Sequence, residues 1–167
     1  GAAELVIGRQ AIGWGRGVLF SAVDLFAPFT PLEADREWRR GVDAIRADVK
    51  LSDRASVDAV GAFGNDMDHS VFAARLRGYT GRADVEVVGG RRARDLFAGL
   101  TSSAALGDAE VHGELAVFWA SAVANSASFG TDRSVVKIVA GGSYRLAIGN
   151  GVLVYGEYHY SGFGAAS

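Results

Sequence analysis

Apolar and polar residues alternate along most of this chain with a period of two, the spacing at which successive side chains of a β-strand point to opposite faces. In the stretch 41–51, Ile45, Ala47, Val49 and Leu51 share one face, and Arg46, Asp48 and Lys50 the other. The same split recurs at 4–12 and at 55–63, where Val57, Ala59 and Phe63 oppose Ser56 and Asp58. At 70–79, Phe72, Ala74 and Leu76 oppose Arg75 and Arg77; at 83–91, Val85 and Val87 oppose Asp84 and Glu86. At 110–119, Val111, Leu115, Val117 and Trp119 oppose His112 and Glu114. At 134–146, Val136, Ile138, Ala140, Tyr144 and Leu146 oppose Lys137, Ser143 and Arg145. At 152–160, Val152, Val154, Tyr158 and Tyr160 oppose Glu157 and His159. A ninth stretch, 96–103, alternates weakly. The pattern predicts about nine strands, each with two unlike faces.

The links between them alternate too. SDR at 52–54, TG at 80–81, LGD at 106–108 and IGN at 148–150 have the composition of tight hairpin turns. Longer links fall at 16–39, 64–69, 92–95 and 120–133. Short and long links in turn predict an antiparallel up-and-down sheet with its tight turns at one end. If Thr80 and Gly81 form a two-residue turn, Arg77 faces Asp84 and Arg75 faces Glu86 on one side. Leu76 then faces Val85, and Ala74 faces Val87, on the other.

Either face of such a sheet can be the wet one. A soluble barrel buries the apolar face; a transmembrane barrel turns it to lipid and encloses the polar face around water. The centres of the apolar face are rich in Ala, Val, Leu and Gly. Its large aromatics, Phe63, Phe72, Trp119, Tyr158 and Tyr160 near the long-link end and Tyr144 near the other, sit at strand ends like an interfacial girdle. With strands of about nine to eleven residues, this favours an all-β, up-and-down transmembrane barrel of about eight to ten strands. Composition agrees as far as it goes. The 167 residues suffice for one domain, and no apolar run is long enough for a membrane helix. A net charge of −2 gives no field for nucleic acid, and the absence of cysteine removes thiolate chemistry and cysteine metal sites.

The fragments GRQ at 8–10, GWGRG at 13–17, DLFAPFTP at 24–31 and RRGVDAIR at 39–46 together resemble a segment of bacterial outer-membrane porin-like barrels. The resemblance covers about the first quarter of the chain. It implies an outer-membrane barrel with an even number of strands, commonly more than are seen here, usually ending in a strand that closes on a terminal aromatic. The chain instead ends SGFGAAS, so it is read as an internal piece of a larger barrel. The role implied is passive passage of small hydrophilic solutes, with outer-membrane lipid as the surrounding partner. A soluble barrel holding a small ligand in its interior and a structural or adhesive barrel are the alternatives.

On this reading the wall of the pore carries Arg9, Arg46, Asp48, Lys50, Asp58, Arg75, Arg77, Asp84, Glu86, Glu114, Lys137, Arg145 and Glu157. The long link 16–39 is expected to fold into the mouth and narrow it, with Asp24, Phe26, Phe29, Glu33, Asp35 and Arg39 at the constriction. TPLE at 30–33 fits a helix start with Thr30 as cap and Pro31 in the first turn, and 21–26 fits a further helical turn. Gly13, Gly15 and Gly17 could be taken for a phosphate loop, but no strand–loop–helix unit surrounds them, so they are read as the tight departure of a pore loop. His69, His112 and His159 lack metal-ligand spacing, and no catalytic or nucleotide motif appears. Glu114 and Glu157 are the carboxylates nearest to an acid–base pair. No cofactor is called for.

Overall fold

The structure, a computed structural model, describes residues 3–23, 41–66, 69–92, 95–119 and 134–163. Nine strands follow one another: β1 (Ala3–Gln10), β2 (Val42–Ser52), β3 (Ala55–Ala62), β4 (Val71–Tyr79), β5 (Ala83–Arg92), β6 (Asp95–Leu106), β7 (Ala109–Trp119), β8 (Ser134–Leu146) and β9 (Val152–Ser161). Each pairs antiparallel with its neighbours in sequence, in one up-and-down sheet. There is no α-helix among the described residues. Residues 21–23, expected to begin a helical turn, are not helical. The rest of that turn and the helix start at 30–33 lie outside the described residues.

The weak ninth stretch is a full strand, β6. Its contrast is low because small residues stand on both faces, with Ala98, Ser102 and Ala104 on one and Gly99 and Ser103 on the other. The link at 92–95 is shorter than expected, since Arg92 pairs directly with Asp95. The β4–β5 register also differs from the two-residue turn. Arg77 pairs with Glu86, Tyr79 with Asp84 and Leu76 with Val87. Thr80 donates its N–H to the Ala83 carbonyl and Gly81 takes a φ of 85°, so the turn is wider. The shift is by two residues, which leaves every side chain on its expected face.

The core lies on one face only. Residues 11–23 leave β1 and return across the sheet, burying Ile12, Trp14, Ala22 and Val23 against Ala44, Val60, Ala73, Val88, Phe97, Ala116, Phe118 and Val139. We call this face inner. It is apolar toward the long-link end and charged in the middle. The residues expected as a polar wall thus share their face with a buried apolar core. The opposite, outer face carries Leu5, Ile7, Ile45, Leu76, Val87, Leu100, Leu115, Ile138 and Val154, all exposed.

β1 and β9 do not pair with each other. With nine antiparallel strands they run in the same direction, so an antiparallel seam between them is impossible. The sheet is open.

Candidate functional site

Two clusters of carboxylates on the inner face organise everything laid across it. The first is centred on Asp58 of β3 and Glu86 of β5. Arg46 grips Asp58 with both Nε (3.0 Å) and Nη2 (2.8 Å), the forked geometry that makes guanidinium–carboxylate pairs strong. The Trp14 indole N–H adds a bond to Asp58 at 3.2 Å. Glu86 accepts from Arg16 Nη2 at 2.7 Å and Arg77 Nε at 3.0 Å. Arg75 ties the two acids together, reaching Asp58 at 3.0 Å and Glu86 at 3.3 Å, beneath the Trp14 ring at 5.2 Å from its centroid. Asp84 stands 3.7 Å from Arg16. Charges this deeply buried persist only when paired and hydrogen-bonded, and here each acid meets several donors.

The second cluster consists of Glu114 on β7 and Glu157 on β9, and its donors come mainly from backbone. Glu114 accepts N–H bonds from Arg16, from Gly17 at 2.7 Å and from Ala22 at 2.5 Å, with the Ser21 hydroxyl at 2.9 Å. Glu157 accepts from Val18 at 2.8 Å, Leu19 at 3.1 Å and Phe20 at 2.8 Å. Its other donors are the Tyr155 hydroxyl at 2.6 Å and His112 Nε2 at 3.1 Å. Lys137 donates to the Ser21 carbonyl at 3.1 Å, and Phe20 stacks on His159 at 4.7 Å. Segment 16–23 thus wraps its N–H groups around two inner-face carboxylates. These oxygens are occupied by donors of the segment, the geometry of an anchorage rather than of a proton-transfer pair.

Glycines make this fit possible. His112 on β7 reaches Glu157 on β9 by passing over β8 at Gly141, where an added Cβ would come within 2.7 Å of His112 Nε2 and 2.9 Å of a backbone oxygen. Val23 seats over Gly99, where a Cβ would stand 2.6 Å from Val23 Cγ1. Gly15 and Gly17 are needed for the close approach of the segment to itself, at Ser21 and at the Phe20 carbonyl. Replacing Gly141 by valine is expected to break the His112–Glu157 bond and to lower unfolding stability by about 1–3 kcal/mol, the usual cost of forcing extra atoms into a packed site. Denaturant titration beside the unaltered protein checks this.

The expected wall residues Arg46, Asp48, Lys50, Asp58, Arg75, Arg77, Asp84, Glu86, Glu114, Lys137, Arg145 and Glu157 all belong to the inner face by strand register. Asp48 and Lys50 lie toward the tight-turn end, where Lys50 pairs with Asp53 at 3.0 Å. Arg145 lies beside the last turn. Arg9 is the correction. It shares the outer face with Leu5 and Ile7 and pairs there with Asp43 at 3.0 Å, so it lines no interior. Phe63, Phe72, Trp119, Tyr144, Tyr158 and Tyr160 stand on the outer face near strand ends; Phe63 and Phe72 meet edge to face at 5.8 Å. The expected constriction residues Asp24, Phe26, Phe29, Glu33, Asp35 and Arg39 lie outside the described residues. The segment that does cross the inner face is 11–23, and Trp14 and Arg16 are the site residues the alternation did not reveal.

Compared with known proteins, the chain matches no family model, no curated protein and no solved structure.

Proposed function

We propose that this sheet is part of the wall of a bacterial outer-membrane β-barrel channel for passive passage of small hydrophilic solutes. One observation carries the reading. Among the described strand residues, the outer face bears charge only at Arg9, Asp43 and Arg91, each one position in from a strand end. All three stand at the long-link end, and from there to the tight turns the face is an apolar belt without a charge. On β6 the belt runs from Leu96 to Leu106. Ten steps of about 3.4 Å make about 34 Å along the strand, and a tilt of about 45° reduces that to about 24 Å, close to the height of a barrel's lipid-facing band. Most of the large apolar residues on this belt are well exposed, far more than a single water-soluble domain usually displays. On the inner face the central charges are paired beneath segment 11–23, which narrows the space there, while Arg46 and Arg77 at the edge of that network are partly exposed and suit contact with water.

The reading also requires closure. Because β1 and β9 run the same way, an antiparallel barrel needs an odd number of further strands between them. Lipid does not tolerate the unpaired N–H and C=O groups of open edges.

The test is purification with and without detergent, followed by planar-bilayer recording. Detergent-dependent solubility and stepwise conductance are expected. A monodisperse protein in plain buffer overturns the membrane assignment, and insertion without conductance overturns the channel.

A further inference from the structure

We propose that segment 16–23 is a docked plug held on the channel interior by a two-point latch, Glu114 and Glu157, and that releasing both points widens the passage. The proposal rests on the channel reading above. The supporting geometry is the division of labour within the segment. One run of backbone, residues 16–17 and 22–23, turns its N–H groups to Glu114; the intervening residues 18–20 turn theirs to Glu157. The two acids stand on β7 and β9, so the segment spans three strands and cannot leave one acid while keeping its shape on the other. Both carboxylate side chains depend on it in turn. The Glu157 side chain is fully buried and Glu114 is 3 % exposed, and without the segment they would lose most of their donors. Residues 16–21 are therefore held chiefly by polar hydrogen bonds, with Phe20, stacked on His159, as their main apolar contact. Such a contact can be undone without dismantling the sheet, whose ladder is independent of it.

The chain contains no cysteine, so a single reporter can be introduced. Val23, fully buried over Gly99, is replaced by cysteine in the full chain, and the rate of reaction with a membrane-impermeant maleimide is followed. Labelling is expected to be slow in that background. Adding Glu114→Ala and Glu157→Ala should accelerate it at least about tenfold, since each charge-assisted hydrogen bond lost weakens docking by about a factor of ten or more. Acetate, supplying the missing carboxylates, should slow labelling again, whereas chloride at equal ionic strength should not. A role of the two side chains in bulk packing would not be rescued in this way. Single-channel conductance should rise in the double variant and fall back with acetate. Glu114→Gln with Glu157→Gln, which keeps both side chains in place but removes their charge, provides a second route to release if the alanine variant fails to fold. Slow labelling in a folded release variant whose conductance matches the parent overturns the latch and leaves the channel reading standing. Fast labelling at unchanged conductance overturns the plug. No conductance from any of these proteins overturns the channel reading, while the labelling rates still judge the latch.

Discussion

Replacing Leu100 by arginine is expected to destabilise the protein in a bilayer by about 2–4 kcal/mol, and replacing Leu106 in the same way by only about 0–1 kcal/mol. Both leucines belong to the outer face of β6, one at mid-strand and one at its tight-turn end, and both are exposed, 44 % and 58 %. Leu100 pairs laterally with Val87 and Leu115, and that row continues through Leu76 and Ile138. The one carboxylate described on this face, Asp43, stands at the long-link end and is paired with Arg9, so none is at hand to receive the new cation. In lipid the guanidinium must be dragged to an interface, at a cost that depends on depth. In water the same two substitutions touch only solvent, and each should lie within about 0.5 kcal/mol of zero. The measurement is reversible denaturant unfolding from phospholipid vesicles. A depth-dependent difference between the two positions is the signature of lipid; equal and small effects would defeat the membrane reading whatever the conductance experiments show.

How much of this was legible in the sequence follows from what each feature depends on. The strands were legible because a two-residue period needs only local alternation, and the large outer side chains against inner charges made that period visible in all but β6. Faces were legible for the same reason, and they survived a register error of two residues at the β4–β5 turn. The charge of Arg9 suggests a polar wall, but its parity, counted from Leu5 and Ile7, puts it outward, opposite Asp43. The inner core was hidden for a different reason. Ala44, Ala73, Val88 and Ala116 are small residues at positions that otherwise read as polar, and they make sense only once Trp14 and Val23 lie over them. In segment 11–23, Ile12 and Trp14 still alternate with the exposed Ala11 and Gly13, but from residue 15 to residue 23 no period is kept. Its conformation comes from donors meeting Glu114, Glu157, Glu86 and Asp58, residues far away in sequence, and nothing local announces such partners.

The inner charges lead to a second large effect with a built-in asymmetry. Glu86→Ala is expected to cost about 3–5 kcal/mol of unfolding stability, because it strips a buried network of the acid on which Arg16, Arg75 and Arg77 converge. Arg16 and Arg77 are 29 % and 42 % exposed along their side chains and can turn to water, but Arg75 is 7 % exposed and has nowhere to go. The penalty is therefore dominated by one buried guanidinium left with Asp58 alone, an acid it shares with Arg46. Removing that cation from the intact protein should be far milder. In Arg75→Met, Asp58 keeps Arg46 and Trp14, Glu86 keeps Arg16 and Arg77, and an unbranched apolar chain of similar length fills the space beneath the Trp14 ring. Exchanging a buried ion for a well-packed apolar group is often neutral when the remaining charges stay paired. The double variant should then be more stable than Glu86→Ala alone, since the methionine removes the charge that the alanine leaves under-paired. Denaturant unfolding of the two single variants and the double gives the coupling energy directly. If the double variant instead shows the sum of the two single losses, Arg75 is not the residue that makes Glu86 indispensable, and the acid's value lies in holding Arg16 and the segment that carries it.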